Sequence, residues 1–154
     1  MSKSMARVSA ALQGAGLMAE IIEPGPSRTA QEAAAACGCE LDQIVKSLIF
    51  QGESGRIYLF LTAGGNQLDP ERAAIVAGEA LGRADAATVR RETGFAIGGV
   101  APLGHLNPPV IFADPRLLAF AQVFAAAGTP RHVFAAEPGA LIAACGARCA
   151  RFTA

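Results

Sequence analysis

The chain is 154 residues long, 52% hydrophobic and 17% charged, with 17 glycines and 9 prolines. That is one domain's length with enough apolar side chains to bury a core, and it excludes a disordered segment. Thirteen acidic and thirteen basic residues cancel, which excludes nucleic-acid binding by bulk charge and confines any such contact to a local patch.

No run approaches the roughly 20 apolar residues of a membrane span, and Met1 to Arg7 lacks the apolar core of a signal peptide. A cytoplasmic protein without membrane contact is therefore expected. The four cysteines fall as Cys37-x-Cys39 and Cys145-x-x-x-Cys149. Neither spacing is the usual C-x-x-C knuckle of a zinc site, so reduced thiols and no metal are expected. A metal centre built on these cysteines is the outlying alternative.

In chain order, Ser4 to Gln13 predicts a first helix, with Val8 and Leu12 at helical spacing and Gly14 and Gly16 to end it. Met18 to Ile22 predicts a short strand closed by Pro24-Gly25-Pro26. Thr29 and Glu32 form a capping box for an alanine-rich helix through Ala36 that Gly38 stops. Ile44 to Phe50 predicts a strand, and the loop Gly52 to Gly55 returns the chain antiparallel to it as Arg56 to Ala63. After the turn Gly64-Gly65-Asn66, Asp69-Pro70 opens a helix that runs to about Leu81 and stops at Gly82. Asp85 caps a helix over Ala86 to Thr93 that Gly94 ends. Its Arg90-Arg91 pair is the best candidate for a phosphate contact, although a solvated face is the commoner explanation of such a pair.

Pro109 to Ala113 predicts a further strand, Asp114-Pro115 a short helix to Phe120, and Gln122 to Ala125 with Arg131 to Ala135 a strand pair around Gly128-Thr129-Pro130. Glu137-Pro138 opens a last helix ended by Gly146, and Arg148 to Phe152 predicts a terminal strand. Strands and helices are interspersed with no linker. The expected fold is one domain over residues 1–154 of α/β (α+β mixed) class, a mixed sheet or barrel flanked by helices.

The strand Ile44 to Phe50 carries the strongest functional signal. Ile44, Leu48 and Phe50 lie on one parity and Val45 and Ile49 on the other, the pattern of a strand covered on both faces, yet Lys46 sits among them. An ammonium taken out of water costs several kcal/mol unless it is paired, so this lysine calls for a partner, a pocket or a shifted pKa. Eleven of the thirteen basic residues are arginine, and the only other lysine is Lys3. The structural alternative is a lysine at a strand end whose stem reaches water.

The second signal is the loop from Gly98 and Gly99 through Val100, Ala101 and Pro102 to His105. Two glycines let the backbone approach a ligand closely, and Pro102 stiffens the exit. Successive N–H groups in such a turn make a concave site for an anion or a polarised carbonyl. The spacing matches neither a P-loop nor a dinucleotide fingerprint, and a Gly-Gly pair is often only a turn. His105 lies just beyond, and His132, alternating with Val133 in a strand, reads as structural. No Gly-x-Ser-x-Gly elbow or nucleophilic cysteine is present. One cation, a backbone donor array and no nucleophile suit an activated ester, for which orientation and oxyanion stabilisation suffice.

Thr29-Ala-Gln-Glu-Ala-Ala, Gln43-Ile-Val-Lys46-Ser-Leu-Ile-Phe, Leu68-Asp69 and Thr93-Gly-Phe-Ala-Ile-Gly98-Gly99-Val-Ala-Pro102-Leu-Gly together resemble the YbaK/ProX/EbsC proteins, freestanding relatives of the prolyl-tRNA synthetase editing domain. The resemblance covers roughly Thr29 to the C-terminus. It implies that family's fold, a mostly antiparallel barrel-like sheet with helices. It also implies a trans-editing enzyme that hydrolyses mischarged aminoacyl-tRNA, typically tRNA-Pro carrying alanine, cysteine or another small amino acid. Lys46 matches the family's essential lysine, and Gly98 to Pro102 match its substrate-binding loop. Ala101 stands where serine is common, so any hydroxyl contact from that position is lost.

The expected mechanism follows from both readings. Lys46 anchors the terminal adenosine phosphate or the ester carbonyl, N–H groups from Gly98 through Gly99 to Val100 hold the oxyanion, and a ribose hydroxyl or a water attacks. His105 lines the pocket, and selection is mainly by size. The expected partners are the acceptor end of aminoacyl-tRNA and prolyl-tRNA synthetase, with no cofactor. The rival reading is a module that binds aminoacyl-tRNA or the synthetase without turnover.

Overall fold

The computed structural model describes residues 1–154. A five-stranded sheet and a three-stranded sheet share its framework, and helices cover the faces that the strands leave apolar. The larger sheet has the order β4 (Leu81–Arg83), β2 (Val45–Gly52), β3 (Ile57–Ala63), β5 (Val110–Ala113), β8 (Arg148–Cys149). The first two of its pairings are antiparallel and the last two parallel. The smaller sheet is antiparallel throughout, in the order β1 (Ile21–Ile22), β7 (Val133–Ala136), β6 (Val123–Ala126).

Alternation along β3 divides the interior. Leu59, Leu61 and Ala63 enter the main core with Val8 and Leu12 of α1 (Lys3–Gly14), while Tyr58 and Phe60 face Phe112, Phe152 and Ala73 of α3 (Pro70–Ala77). Every residue of β3 is buried, whereas most of β2 is only half-buried. The lysine strand is thus covered on both faces, as its parity pattern predicted, but it is not the innermost strand. A third cluster packs Ala34 of α2 (Ala30–Cys37) on Ile44 and Phe124.

Local chemistry sets the helix ends. Thr29 Oγ1 accepts the Glu32 N–H and Glu32 reaches back to the Arg28 N–H, Asp69 caps α3 ahead of Pro70, and Asp85 caps α4 (Ala86–Thr93). Glu137 does the same for α5 (Pro138–Cys145).

Three predicted elements change. The helix from Asp69 stops at Ala77, because Gly78 turns left-handed at φ +82° and closes it, and Leu81–Arg83 becomes an edge strand on β2. The first strand contracts to Ile21–Ile22 and the last to Arg148–Cys149. Phe152 instead plugs the second cluster, its ring 4.9 Å from that of Phe60. Across the two sheets four of the six strand pairings are antiparallel, and the strands do not close into a barrel. Ile44, just ahead of β2, joins the smaller sheet through a single parallel bridge to Phe124, and no strand ladder continues from it.

Candidate active site

Lys46 stands on β2 opposite Thr62, half-buried, and its Nζ donates to the Asn66 carbonyl at 2.5 Å. That carbonyl is the partner the strand pattern demanded. An ammonium has three donors, so two remain for a ligand.

The Asn66 turn is itself held from two sides. Asn66 Nδ2 donates to Asp114 Oδ2 at 2.8 Å, and the same oxygen accepts the Ala63 N–H at 3.1 Å. Asp114 Oδ1 accepts the Arg116 N–H at 3.0 Å. Asp42 takes the Gly65 N–H at 2.8 Å and pairs with Arg116 Nε at 2.9 Å. The Arg116 hydrogen bond, more than burial opposes it and with help from the Gly65 N–H, keeps the Asp42 carboxyl below its usual range.

The glycine loop faces this lysine, but its atoms divide the work differently from the expectation. Gly98 is exposed, with φ +91°, a conformation that disfavours a side chain. Gly99 is buried, and its N–H is engaged by the Ala96 carbonyl at 2.9 Å, so it is not free to hold an oxyanion. The N–H groups of Gly98 and Val100 make no hydrogen bond within the chain. Two donors, not three, are open there.

Ala101 and Pro102 are buried behind the loop, and neither they nor His105 line the cleft. His105 Nε2 donates to the Ala101 carbonyl at 2.6 Å, and its ring meets Phe95 edge-on at 5.3 Å. It buttresses the loop from inside. Burial pushes its pKa down, with the Arg7 charge adding and the Ala101 bond opposing. A histidine held neutral by folding contributes stability that is full above its unfolded pKa of about 6.5 and is lost as pH falls through the folded value. Urea unfolding of the native chain should therefore weaken from pH 6.5 downward, above the carboxylate range, and a His105→Gln chain should show a flatter dependence over that window.

Lys46, Ser47, Leu48, Gly98 and Val100 are shared by two lobes of one cleft, of about 440 and 520 Å³. The first lobe continues along Phe50, Leu68 and Ile97 to Arg83, and the second along Ile44, Phe124 and Ala126 to Arg28, Thr129 and His132. The exposed Arg90-Arg91 pair lines neither lobe, whereas Arg83 and Arg28 stand at their lips.

The second lobe also holds residues that the sequence reading left aside. Thr129 Oγ1 lies 2.6 Å from His132 Nδ1, and His132 Nε2 lies 3.2 Å from Glu23 Oε2. His132 precedes β7 instead of lying within it and lines the second lobe, with both ring nitrogens engaged by neighbouring side chains. The four cysteines are free thiols, and no group of three or more His, Cys, Asp or Glu side chains is gathered that could hold a metal. No helix is long and apolar enough to cross a membrane.

Gly99 packs where no side chain fits. A Cβ there would stand 2.7 Å from the Cα and carbonyl carbon of Thr129 and 3.0 Å from Pro130 N. All three are backbone atoms and cannot swing away. Gly99→Ala should destabilise the chain by about 1–3 kcal/mol in urea unfolding and separate the two loops that flank the second lobe. A midpoint unchanged from the native chain would show that the loops are not packed this tightly.

Comparison with known proteins places the fold. The model of the aminoacyl-tRNA editing domain family matches residues 24–144. The chain is 32% identical over 112 residues to the uncharacterized protein YwhH of Bacillus subtilis (strain 168), a match spanning 73% of this chain and 71% of that protein. Among solved structures, one described as a candidate trans-editing enzyme for prolyl tRNA synthetase is 46% identical, with a TM-score of 0.94 over 100% of this chain and 99% of that one. A scaffold used for computational epitope backbone grafting is 44% identical, with a TM-score of 0.93 over the same shares. With Lys46 and the Gly98-Gly99 loop facing across one cleft, the chain belongs to the aminoacyl-tRNA editing domain family.

Proposed function

We propose that this chain is a trans-editing deacylase, acting as one unit over residues 1–154, that hydrolyses the ester of mischarged aminoacyl-tRNA. What supports the reading is that Lys46, Gly98 and Val100 line both lobes of one cleft, and that the N–H groups of the last two have no partner within the chain. A water, or the neighbouring ribose hydroxyl with water following, attacks the ester carbonyl. The carbonyl oxygen takes up negative charge beside the donors, the bond to the ribose oxygen breaks, and a proton returns to that oxygen. The products are the free amino acid and the tRNA 3′ end.

Lys46 steadies either the developing oxyanion or the terminal phosphate, and the lip arginines Arg28 and Arg83 meet the acceptor-end phosphates. Lobes of about 440 and 520 Å³ admit any amino acid by volume, so the choice of tRNA-Pro carrying alanine or cysteine as the substrate rests on the family relationship and not on the size of the cleft. The described relative's link to prolyl tRNA synthetase makes that synthetase the natural partner, and such a substrate belongs to the cytoplasm. The chemistry calls on no cofactor.

A panel of tRNA-Pro and other tRNAs charged with alanine, cysteine, serine and proline tests the reading. Release of a small amino acid from tRNA-Pro, with prolyl-tRNA-Pro spared, is the expected result. Tight binding without release from any member would make the chain a binding module instead.

A further inference from the structure

Alternate residues of strand β2 turn their main chain away from β3, and Ser47 is the one of them that lines both lobes of the cleft. Ser47 lies opposite Leu61 on β3, but the Leu61 carbonyl points the other way, accepting the Asp114 N–H at 2.8 Å. Opposed residues of an antiparallel pair either exchange both hydrogen bonds or neither, so the Ser47 N–H and C=O point away from β3. Farther along the strand the same alternation holds. The Gly52 N–H goes to Arg56 on the β3 side and the Glu53 N–H to Ala80 on the opposite side.

On that opposite side β2 is covered at both ends and open in the middle. The bridge of Ile44 to Phe124 covers its start, and β4 pairs only from Phe50 to Gly52. Ser47 falls in the gap, and it lines both lobes beside Lys46, Gly98 and Val100. Its Oγ is also buried without a hydrogen-bond partner. A strand edge left unpaired inside a cleft is a template for another backbone.

We propose that the main chain of Ser47 pairs with the aminoacyl group as if with one residue of an antiparallel strand, the α-ammonium donating to the Ser47 carbonyl and the Ser47 N–H donating to the ester carbonyl. This rests on the deacylase reading. An aminoacyl ester carries a donor and an acceptor on one α-carbon unit, the complement of what an outward-facing strand residue offers. The ester oxygen then lies between the Ser47 amide and those of Gly98 and Val100, where charge develops. Opposed residues place their side chains on one face of the sheet, so the amino-acid side chain falls on the face of Ser47 Oγ, where Val45 and Ile49 crowd it against the main core. The edge would read the free amino group, and the crowded face the size.

Three esters of one tRNA separate this from the alternatives: alanyl, propionyl, which has hydrogen in place of the ammonium, and N-acetylalanyl. Each enzymatic kcat/KM is divided by the uncatalysed hydrolysis rate of the same ester, because the ammonium activates the ester by itself. A lost charge-assisted hydrogen bond should lower the normalised value for propionyl-tRNA by about 10–100-fold, and the acetylated ester should be poorer still. In a 1H–15N spectrum, the non-hydrolysable alanyl amide of 3′-amino-3′-deoxyadenosine should shift the Ser47 amide, and the propionyl amide should shift it less. Equal normalised rates for alanyl and propionyl esters, or a Ser47 amide that does not move when the alanyl amide binds, would overturn the pairing while leaving deacylation standing. No cleavage of any ester would remove both.

Discussion

Lys46→Ala is expected to lower kcat/KM for deacylation of mischarged tRNA by about 10²–10³-fold, the usual cost of removing one donor to a developing oxyanion. Stability should hardly change. Lys46 makes one hydrogen bond from a half-buried position, to the Asn66 carbonyl, and alanine leaves that carbonyl at the open cleft where water can replace the amine. Circular dichroism and the urea midpoint should therefore stay close to those of the native chain. Lys46→Arg should recover little, because a planar guanidinium on a different stem cannot reproduce a compact three-donor charge at the same place. Lys46→Met, which retains an apolar stem, tests whether packing contributes. Deacylation within about threefold of native in Lys46→Ala would remove the amine from the chemistry, and a collapsed fold would assign it to structure.

The lysine was legible because its signal is local. A lone ammonium in a run of β-branched and aromatic residues is anomalous in any fold, and the hairpin beside it needed only Gly52 to Gly55 and strong flanking strands. The helix caps were legible for the same reason. The end of α3 was not, since Gly78 lies within a run that otherwise favours a helix through Glu79, Ala80 and Leu81. Tertiary contacts decide it: Glu79 is drawn off to accept from Tyr58 Oη at 2.6 Å and from Ser54 N–H at 2.8 Å, and Leu81 joins the edge of β2.

The glycine motif likewise marked the loop without showing which of its atoms face the cleft. Gly99 and His105 turned inward because Thr129, from a distant loop, and Phe95 claimed them. Ser47 carried no signal at all, since an unpaired strand edge depends on where β4 and β6 stop, some forty and eighty residues away in the chain. Residues that act through their own side chain in a contrasting setting could be found from sequence. Main-chain donors could be located only to the glycine loop, and which of its amides are free depends on partners elsewhere in the fold.

Asp114 is the case with the largest expected loss of stability. In sequence it is a cap ahead of Pro115, and that role is real, since Oδ1 accepts the Arg116 N–H. Its other oxygen reaches across the fold to the Ala63 N–H at the end of β3 and to Asn66 Nδ2, and Asp114 is only 3% exposed. Asp114→Ala leaves three donors without their acceptor, including the amide of a residue that is 0% exposed. At about 1–3 kcal/mol for each buried donor stranded, with partial relief from water at the Asn66 end, a loss of about 3–5 kcal/mol in urea unfolding is expected.

Asp114→Asn keeps the shape and one good acceptor, and should lose about 1–2 kcal/mol. This milder change isolates a second effect. Asp114 is one of the two carboxylates that hold the turn from which Asn66 offers Lys46 its carbonyl, so the asparagine variant should lower kcat/KM by about tenfold, on the order of 1.4 kcal/mol, through the placement of the amine. In a double-mutant cycle that loss should vanish once Lys46 is alanine, because no amine remains to be misplaced. If the two losses instead add, Asp114 supports the fold alone, and the chain of contacts from β5 through Asn66 to the lysine has no part in positioning it.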